Sequence, residues 1–297
     1  MHYLITGATG FIGSALVESL LSDGQEVTVL TREPNKAYHQ FEGKAAIITL
    51  EQLSALKSVD GVVNLAGAPI IDKRWSDARK RVIRESRVDF TRQLIEGLNK
   101  VGSKPAVFVS GSAIGFYGAR EDGKVLDEAS DVVAGFTHDL CRDWESAALS
   151  AATLLGARVC LIRTGIVLGQ GGALGKMLLP FKFGLGGPIG HGEQWMSWIH
   201  LDDEVGAIRF LLENSGLEGA YNLTAPEPVT NKMFAQALGK ALHRPTCLMT
   251  PSVVMKLLLG ESSELLLKGQ RVQPKRLLEA GFKFNYPSLQ AALQACA

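Results

Sequence analysis

Three glycines stand three residues apart in YLITGATGFIG: Gly7, Gly10 and Gly13. Missing side chains let backbone N–H groups approach a pyrophosphate, and a helix beginning near Phe11 aims its N-terminal dipole at that anion. The triplet follows a strand pattern and opens a helical one inside a βαβ unit, which is the context such a turn requires. Gly7, Thr9, Gly10, Phe11, Ile12 and Gly13 are therefore expected to hold a dinucleotide; the plainer alternative is a glycine-rich turn without a ligand. Roughly twenty positions on, where NAD sites usually carry a carboxylate for the ribose 2′-hydroxyl, the chain reads Leu30-Thr31-Arg32. A guanidinium there suits a 2′-phosphate through charge-assisted bidentate hydrogen bonds. Thr31 and Arg32 thus point to NADP(H) rather than NAD(H), against the alternative of a solvated loop arginine.

A second concentration of reactive side chains is GFTHDLCRDWESAA at 135–148, with His138, Asp139, Cys141, Arg142, Asp143 and Glu145 in eight positions. As a helix, it gathers Phe136, Leu140, Trp144, Ala147 and Ala148 into one apolar stripe, with Asp139, Arg142, Asp143 and Ser146 largely opposite. That pattern reads as the wet face of an ordinary helix; the rival reading turns Cys141 or His138 toward the cofactor. A metal site would need remote ligands to join His138 and Cys141, and the spacing offers none, so no metal is expected.

The elements that must position these groups alternate along the first half. Strand candidates are 3–6, 27–31, 45–50, 61–65, 106–110 and 158–163, rich in Val, Ile and Leu without strict alternation, as strands buried on both faces are. Helical patterns span 11–22, 76–101 and 137–152. The alternation predicts an α/β fold: a Rossmann-like, doubly wound parallel sheet with right-handed crossovers. After Gly169 the texture changes. Residues 169–192 hold nine glycines and two prolines, a long loop region with one short helix. A helix over 202–214, a strand over 220–223 and a helix over 233–242 follow, and the tail from 246 reads as short helices with turns at Pro251, Pro274 and Pro287. The expected organisation is an NADP-binding domain over 1–168, taking in about 196–225, and over 169–297 a glycine-rich substrate loop with a smaller, mainly helical C-terminal cap.

Bulk properties bound the partners. The 297 residues are 46% hydrophobic, and 31 Lys+Arg face 30 Asp+Glu, a net charge of +1. Balanced charge disfavours nucleic acid and an anionic membrane, and no stretch has the apolar length of a spanning helix. The opening MHYLITG reads as a strand and not a signal peptide. Four scattered cysteines without a CxxC suit free thiols in a reducing cytoplasm.

With TGATGFIG, Asn64-Leu65-Ala66-Gly67, and Ser110-Gly111-Ser112 followed by Tyr117-Gly118, the chain resembles the extended short-chain dehydrogenase/reductase superfamily, the nucleotide-sugar epimerase and dehydratase branch. IRTG after the sixth strand, WIHLDD at 198–203 and LLLKGQRVQPKRLLEAGF at 265–282 extend the likeness to an atypical subgroup called epimerase-family proteins. The resemblance implies that Leu65, Ala66 and Gly67 line the adenine–ribose side of the cofactor and that Arg87 touches it. It also implies a Tyr and a Lys one helical turn apart as the acid/base pair. Aligned on Glu145, those places hold Thr137 and Cys141; shifted by one, Phe136 and Leu140. Neither register supplies the pair. Ser112 survives as the hydroxyl that would bond a substrate carbonyl or hydroxyl, with Ser110 as the alternative occupant. Tyr117 is then the nearest phenol, a replacement acid or a packing tyrosine. His200 is a second acid/base candidate, more simply structural, with Asp202 as the cap of the next helix. Lys176, His191 and Arg271 are possible anion contacts.

The sequence thus predicts a cytoplasmic NADP(H)-dependent oxidoreductase or epimerase-like protein, monomeric or homodimeric, acting on a small polar substrate. The alternative is an NADP(H)-binding regulatory or scaffold protein without turnover.

Overall fold

A computed structural model describes residues 1–56 and 58–296, apart from the side chain of Lys176. Seven parallel strands form one sheet: β1 (His2–Thr6), β2 (Glu26–Leu30), β3 (Ala46–Ile48), β4 (Gly61–Asn64), β5 (Val107–Ala113), β6 (Arg158–Thr164) and β7 (Gly219–Leu223). Their spatial order is β3-β2-β1-β4-β5-β6-β7. Winding reverses between β1 and β4, and the crevice beyond the carboxyl ends of those two strands is where such sheets bind ligands.

Successive strand residues enter different cores, which explains the unbroken apolar runs. Ile5, Val29 and Val63 pack against the Phe11–Ser22 and Leu201–Glu213 helices through Leu16, Val17, Leu20 and Ile208. Leu4, Val62 and Phe108 pack against the Phe90–Lys100 and Phe136–Leu155 helices through Leu94, Leu98 and Ala148. β7 completes the sheet beside β6 with Gly219 opposite Cys160. A third core, around Trp198, Phe234, Leu238 and Leu293, holds the tail. Asp203 fastens that tail by accepting the backbone N–H groups of Asn285 (2.7 Å) and Tyr286 (2.9 Å).

Two local expectations are corrected. The helix read over 76–101 is interrupted: Asp77–Arg84 and Phe90–Lys100 are joined by a π-helical turn, Glu85–Asp89. There the Ser86 hydroxyl accepts the Ala68 N–H and donates to Ile83 O, both at 3.0 Å. The cap of the Leu201–Glu213 helix is His200, not Asp202: the ring Nδ1 accepts the Asp202 N–H at 3.2 Å. Among the described residues no helix is long and apolar enough to cross a membrane.

Candidate cofactor and substrate site

Gly7 has φ +68°, and a Cβ built there would lie 2.5 Å from the carbonyl oxygen of Leu65. A Cβ on Gly13 would meet the Gly7 oxygen at 2.3 Å. The turn therefore tolerates no side chain at either place, and it presses directly on the Leu65–Ala66 backbone. Gly10 caps the Phe11–Ser22 helix without a side-chain bond, and no acidic residue occupies its first turn. The first N–H groups are left for an outside acceptor, and the dipole there favours an anion. The fit to a pyrophosphate is thus a property of the cradle itself. The Phe11 ring closes one side: Cβ atoms on Gly169 and Gly172 would fall 2.8 and 2.7 Å from it, so the glycine-rich segment lies on the start of this helix.

Thr31 is tied down, its N–H donating to Ile48 O at 3.0 Å and its hydroxyl accepting the Glu33 N–H at 3.1 Å. Arg32 is exposed and makes no hydrogen bond or ion pair among the described residues. Glu33 pairs with Lys36 instead, at 3.7 Å. A free guanidinium past the end of β2 fits a 2′-phosphate.

The π-helical turn carries Arg87 back over the crevice. Its Nη1 donates to Ala68 O at 2.9 Å, its guanidinium lies 5.3 Å from the Trp144 ring centre, and a Cβ on Gly67 would fall 2.8 Å from its Cζ. Burial lowers its pKa to about 10, and it remains a cation at neutral pH. Below runs a buried chain: Thr6 Oγ1 donates to Asn64 Oδ1 (2.6 Å), and Asn64 Nδ2 (2.8 Å) and Trp144 Nε1 (3.2 Å) both donate to Thr91 Oγ1.

Ser112, near the end of β5, donates its hydroxyl proton to Glu145 Oε1 at 2.7 Å. Glu145 is gripped by Arg163, Nε to Oε1 and Nη2 to Oε2, both at 2.9 Å. All three side chains are buried. With its proton committed, Ser112 presents lone pairs, so a substrate reaching it meets an acceptor. The Phe116 ring covers the Arg163 guanidinium at 3.4 Å. Glu145 and Cys141 correct the solvated-helix reading: both are buried, while Asp139, Arg142 and Ser146 do face water. The signal was present in the spacing, since His138, Cys141 and Glu145 fall at i, i+3 and i+7.

The expectation that Tyr117 replaces the missing acid is corrected. The 3₁₀ turn Ile114–Tyr117 rotates the ring into the core, fully buried. Its hydroxyl donates to Asn222 Oδ1 (2.7 Å) and accepts from Arg163 Nη1 (3.1 Å), and burial pushes its pKa up to about 12. The Tyr117→Phe variant is expected to lose about 1–3 kcal/mol of stability, because Asn222 Oδ1 is left buried without that donor. Denaturant titration measures the loss, and nucleotide affinity should not move.

Thr137 and Cys141 are buried against Gly115, whose added Cβ would lie 3.3 Å from Thr137 Cβ and 3.7 Å from Cys141 Sγ. Burial, then the nearby Glu145 charge, pushes the Cys141 thiol up to about 12, so it supplies neither a cation nor a thiolate. His138 is half-buried one position away. Its Nδ1 is 2.6 Å from Phe116 O and must therefore carry the hydrogen, leaving Nε2 as the nitrogen with a lone pair. His200 lies 3.9 Å centre to centre from the Tyr286 ring, burial lowers its pKa, and its Nδ1 is taken up by the Asp202 N–H, a structural part. His191 caps the Glu193 N–H at 3.0 Å, and Arg271 stacks on Trp195 at 4.2 Å. Sequence reading missed Glu204, whose carboxyl is buried with Thr164 donating to it at 2.7 Å; burial raises its pKa to about 8.

The chain matches the model of the NAD dependent epimerase/dehydratase family over residues 3–224 and that of DUF1731, a domain of unknown function, over residues 250–296. It is 43% identical to the chloroplastic epimerase family protein SDR39U1 homolog of Arabidopsis thaliana, over 99% of this chain and 86% of that protein. It is 36% identical to epimerase family protein YfhF of Bacillus subtilis, over 99% and 97%. The crystal structure of human epimerase family protein SDR39U1 with NADPH superposes with a TM-score of 0.91 at 37% identity, covering 100% of this chain and 99% of that one. A UDP-glucose 4-epimerase from Thermotoga maritima shares the fold at 18% identity and a TM-score of 0.81, covering 100% and 97%.

Proposed function

Because the chain belongs to the NAD dependent epimerase/dehydratase family, we propose that it is an NADP(H)-dependent oxidoreductase of a small polar carbonyl or hydroxyl compound. The observation that carries the reading is Arg32, exposed and unpaired among the described residues, beside a glycine turn that has room only for backbone. The NADPH in the human SDR39U1 structure supports the same choice of cofactor. When bound, NADP(H) exchanges hydride with the substrate carbon. The chain's own residues do the rest. Gly7 to Gly13 and the first turn of the Phe11–Ser22 helix hold the pyrophosphate. Arg32, with Thr31 fixing the backbone, takes the 2′-phosphate, and Leu65, Ala66, Gly67 and Arg87 form the opposite wall. Ser112, its own proton held by Glu145, accepts a hydrogen bond from a substrate hydroxyl next to the reacting carbon and so orients the substrate. In the oxidation direction His138 Nε2 takes the proton of the substrate hydroxyl; in the reduction direction the imidazolium, charged by a proton from solvent at Nε2, returns it to the substrate oxygen.

Reduction of a panel of hydroxyaldehydes and hydroxyketones with NADPH tests this. His138→Gln should lower kcat by roughly a hundredfold, the scale of a lost proton-transfer group, and Ser112→Ala should lower turnover through lost orientation of the substrate, with NADPH affinity unchanged in both. Undiminished turnover in both variants would remove these residues from the chemistry. The second reading, a nucleotide-binding protein without turnover, is favoured by one observation: neither register of the helix, Thr137 with Cys141 or Phe136 with Leu140, supplies the Tyr and Lys of the resemblance, and Thr137 and Cys141 are buried. Tight NADPH binding with no substrate reduced across the panel would support it.

A further inference from the structure

The helix Ser252–Leu259 has an inverted surface. Ser252, Met255 and Leu259 face inward, half-buried, whereas the outward side carries Val253, Val254, Leu257 and Leu258. Val253 and Leu257 are 72% and 71% exposed. Ordinary surface helices turn the opposite side to water. The apolar surface continues onto the neighbouring segment, where Leu179, Phe183 and Leu185 are exposed, Phe183 by 74%. The two segments are joined: the Thr250 N–H donates to Pro188 O (2.9 Å), the Gly190 N–H to Thr250 O (2.8 Å), and Arg244 Nε to Lys182 O (3.1 Å). Leu248 and Met249 fill the strip between them, also exposed.

The two segments that carry this surface hold charge of one sign, and Glu261, just past the helix, is paired with Lys80. Residues 172–192 and 228–260 contain no Asp or Glu and six Lys and Arg, leaving 25 Lys and Arg against 30 Asp and Glu in the remainder. Near-neutral net charge therefore hides a cationic, apolar face on an otherwise acidic molecule. Lys182, Arg244 and Lys256 are exposed among the apolar side chains.

We propose that the face formed by 179–185 and 248–258 docks on an anionic lipid bilayer, Val253, Leu257, Leu258 and Phe183 entering the acyl boundary while Lys182, Arg244 and Lys256 meet the headgroups. Apolar side chains with interspersed cations, and no carboxylate within either segment, are the combination such a surface recognises. A second copy of the chain is a poorer occupant, because a symmetric contact would set the same cations against one another. A single small ligand is poorer too, since binding pockets enclose most of what they hold and these side chains stand open. This inference revises the expectation, drawn from balanced charge and the lack of a spanning apolar stretch, that no membrane takes part.

The test is co-sedimentation of the full chain with vesicles of phosphatidylglycerol mixed equally with phosphatidylcholine, and with phosphatidylcholine alone. Binding to the mixed vesicles, at least tenfold tighter than to the neutral ones and weakened by salt, is expected. The double variant Val253→Asp/Leu257→Asp should lose at least tenfold in vesicle affinity, and Lys182→Glu/Lys256→Glu should lose the preference for phosphatidylglycerol. Unchanged circular dichroism verifies that the variants fold. No binding to mixed vesicles at low salt would overturn the proposal, as would equal binding to both vesicle types. A dimer in solution that Val253→Asp/Leu257→Asp dissolves would assign the face to self-association instead and overturn it equally.

Discussion

Gly7→Ala is expected to weaken NADPH binding at least a hundredfold, about 2.7 kcal/mol, while the sheet still folds. Two effects act at one atom. The φ of +68° puts alanine in the left-handed region, at a cost of roughly 1–2 kcal/mol. The new methyl would also sit 2.5 Å from Leu65 O, so the turn or the Leu65–Ala66 backbone must shift, and both are proposed to flank the nucleotide. Gly24→Ala separates these contributions. Gly24 has φ +70° and nothing within 4 Å of an added Cβ, so it carries the conformational cost without the collision. Calorimetric titration of both variants should find binding lost at position 7 and kept at position 24. Equal, intact binding in both would mean that the turn does not hold the pyrophosphate.

Glu145→Ala is expected to produce the largest loss of stability, about 3–5 kcal/mol, because it strands the Arg163 guanidinium in the core. Nothing else within the two 2.9 Å bonds replaces the carboxylate, and Ser112 loses its acceptor at 2.7 Å. The argument concerns an uncompensated buried charge and not the intrinsic strength of the pair. Glu145→Leu combined with Arg163→Met should therefore be markedly more stable than Glu145→Ala alone, since apolar replacement of both partners removes the desolvation cost. Denaturant unfolding of the three proteins decides it. A single variant no less stable than the double would show that the bonds Arg163 Nη1 already makes to the Tyr117 hydroxyl and the Glu128 carbonyl, at 3.1 and 3.3 Å, suffice for its charge.

Much of the fold was legible because burial on both faces writes itself into strands as unbroken Val, Ile and Leu, as in β1, β2 and β4. The Phe11–Ser22 helix was legible from its glycine start and its apolar spacing. The π-helical turn was not, because the contact that accompanies it, Ser86 with the Ala68 backbone, joins residues eighteen apart in sequence. Tyr117 misled for a related reason. Closeness to Ser112 in sequence suggested closeness in the cleft, but the 3₁₀ turn sends the phenol to Asn222 on β7 and Arg163 on β6. Glu145 was masked by its neighbours: the exposed charged residues Asp139 and Arg142, with exposed Ser146, gave the segment a solvated look, and one helical stripe among them is buried. Which nitrogen of His138 is free depends on the Phe116 carbonyl, a partner that only the folded chain identifies.

The central claim is that this chain is built for NADP(H), with Arg32 reading the 2′-phosphate. Calorimetric titration with NADPH and with NADH, on the natural protein and on Arg32→Ala, tests it most directly. NADPH should bind at least tenfold more tightly than NADH, about 1.4 kcal/mol, and Arg32→Ala should abolish that difference while leaving NADH affinity unchanged. NADH binding as tightly as NADPH, or a preference that survives Arg32→Ala, would contradict the account.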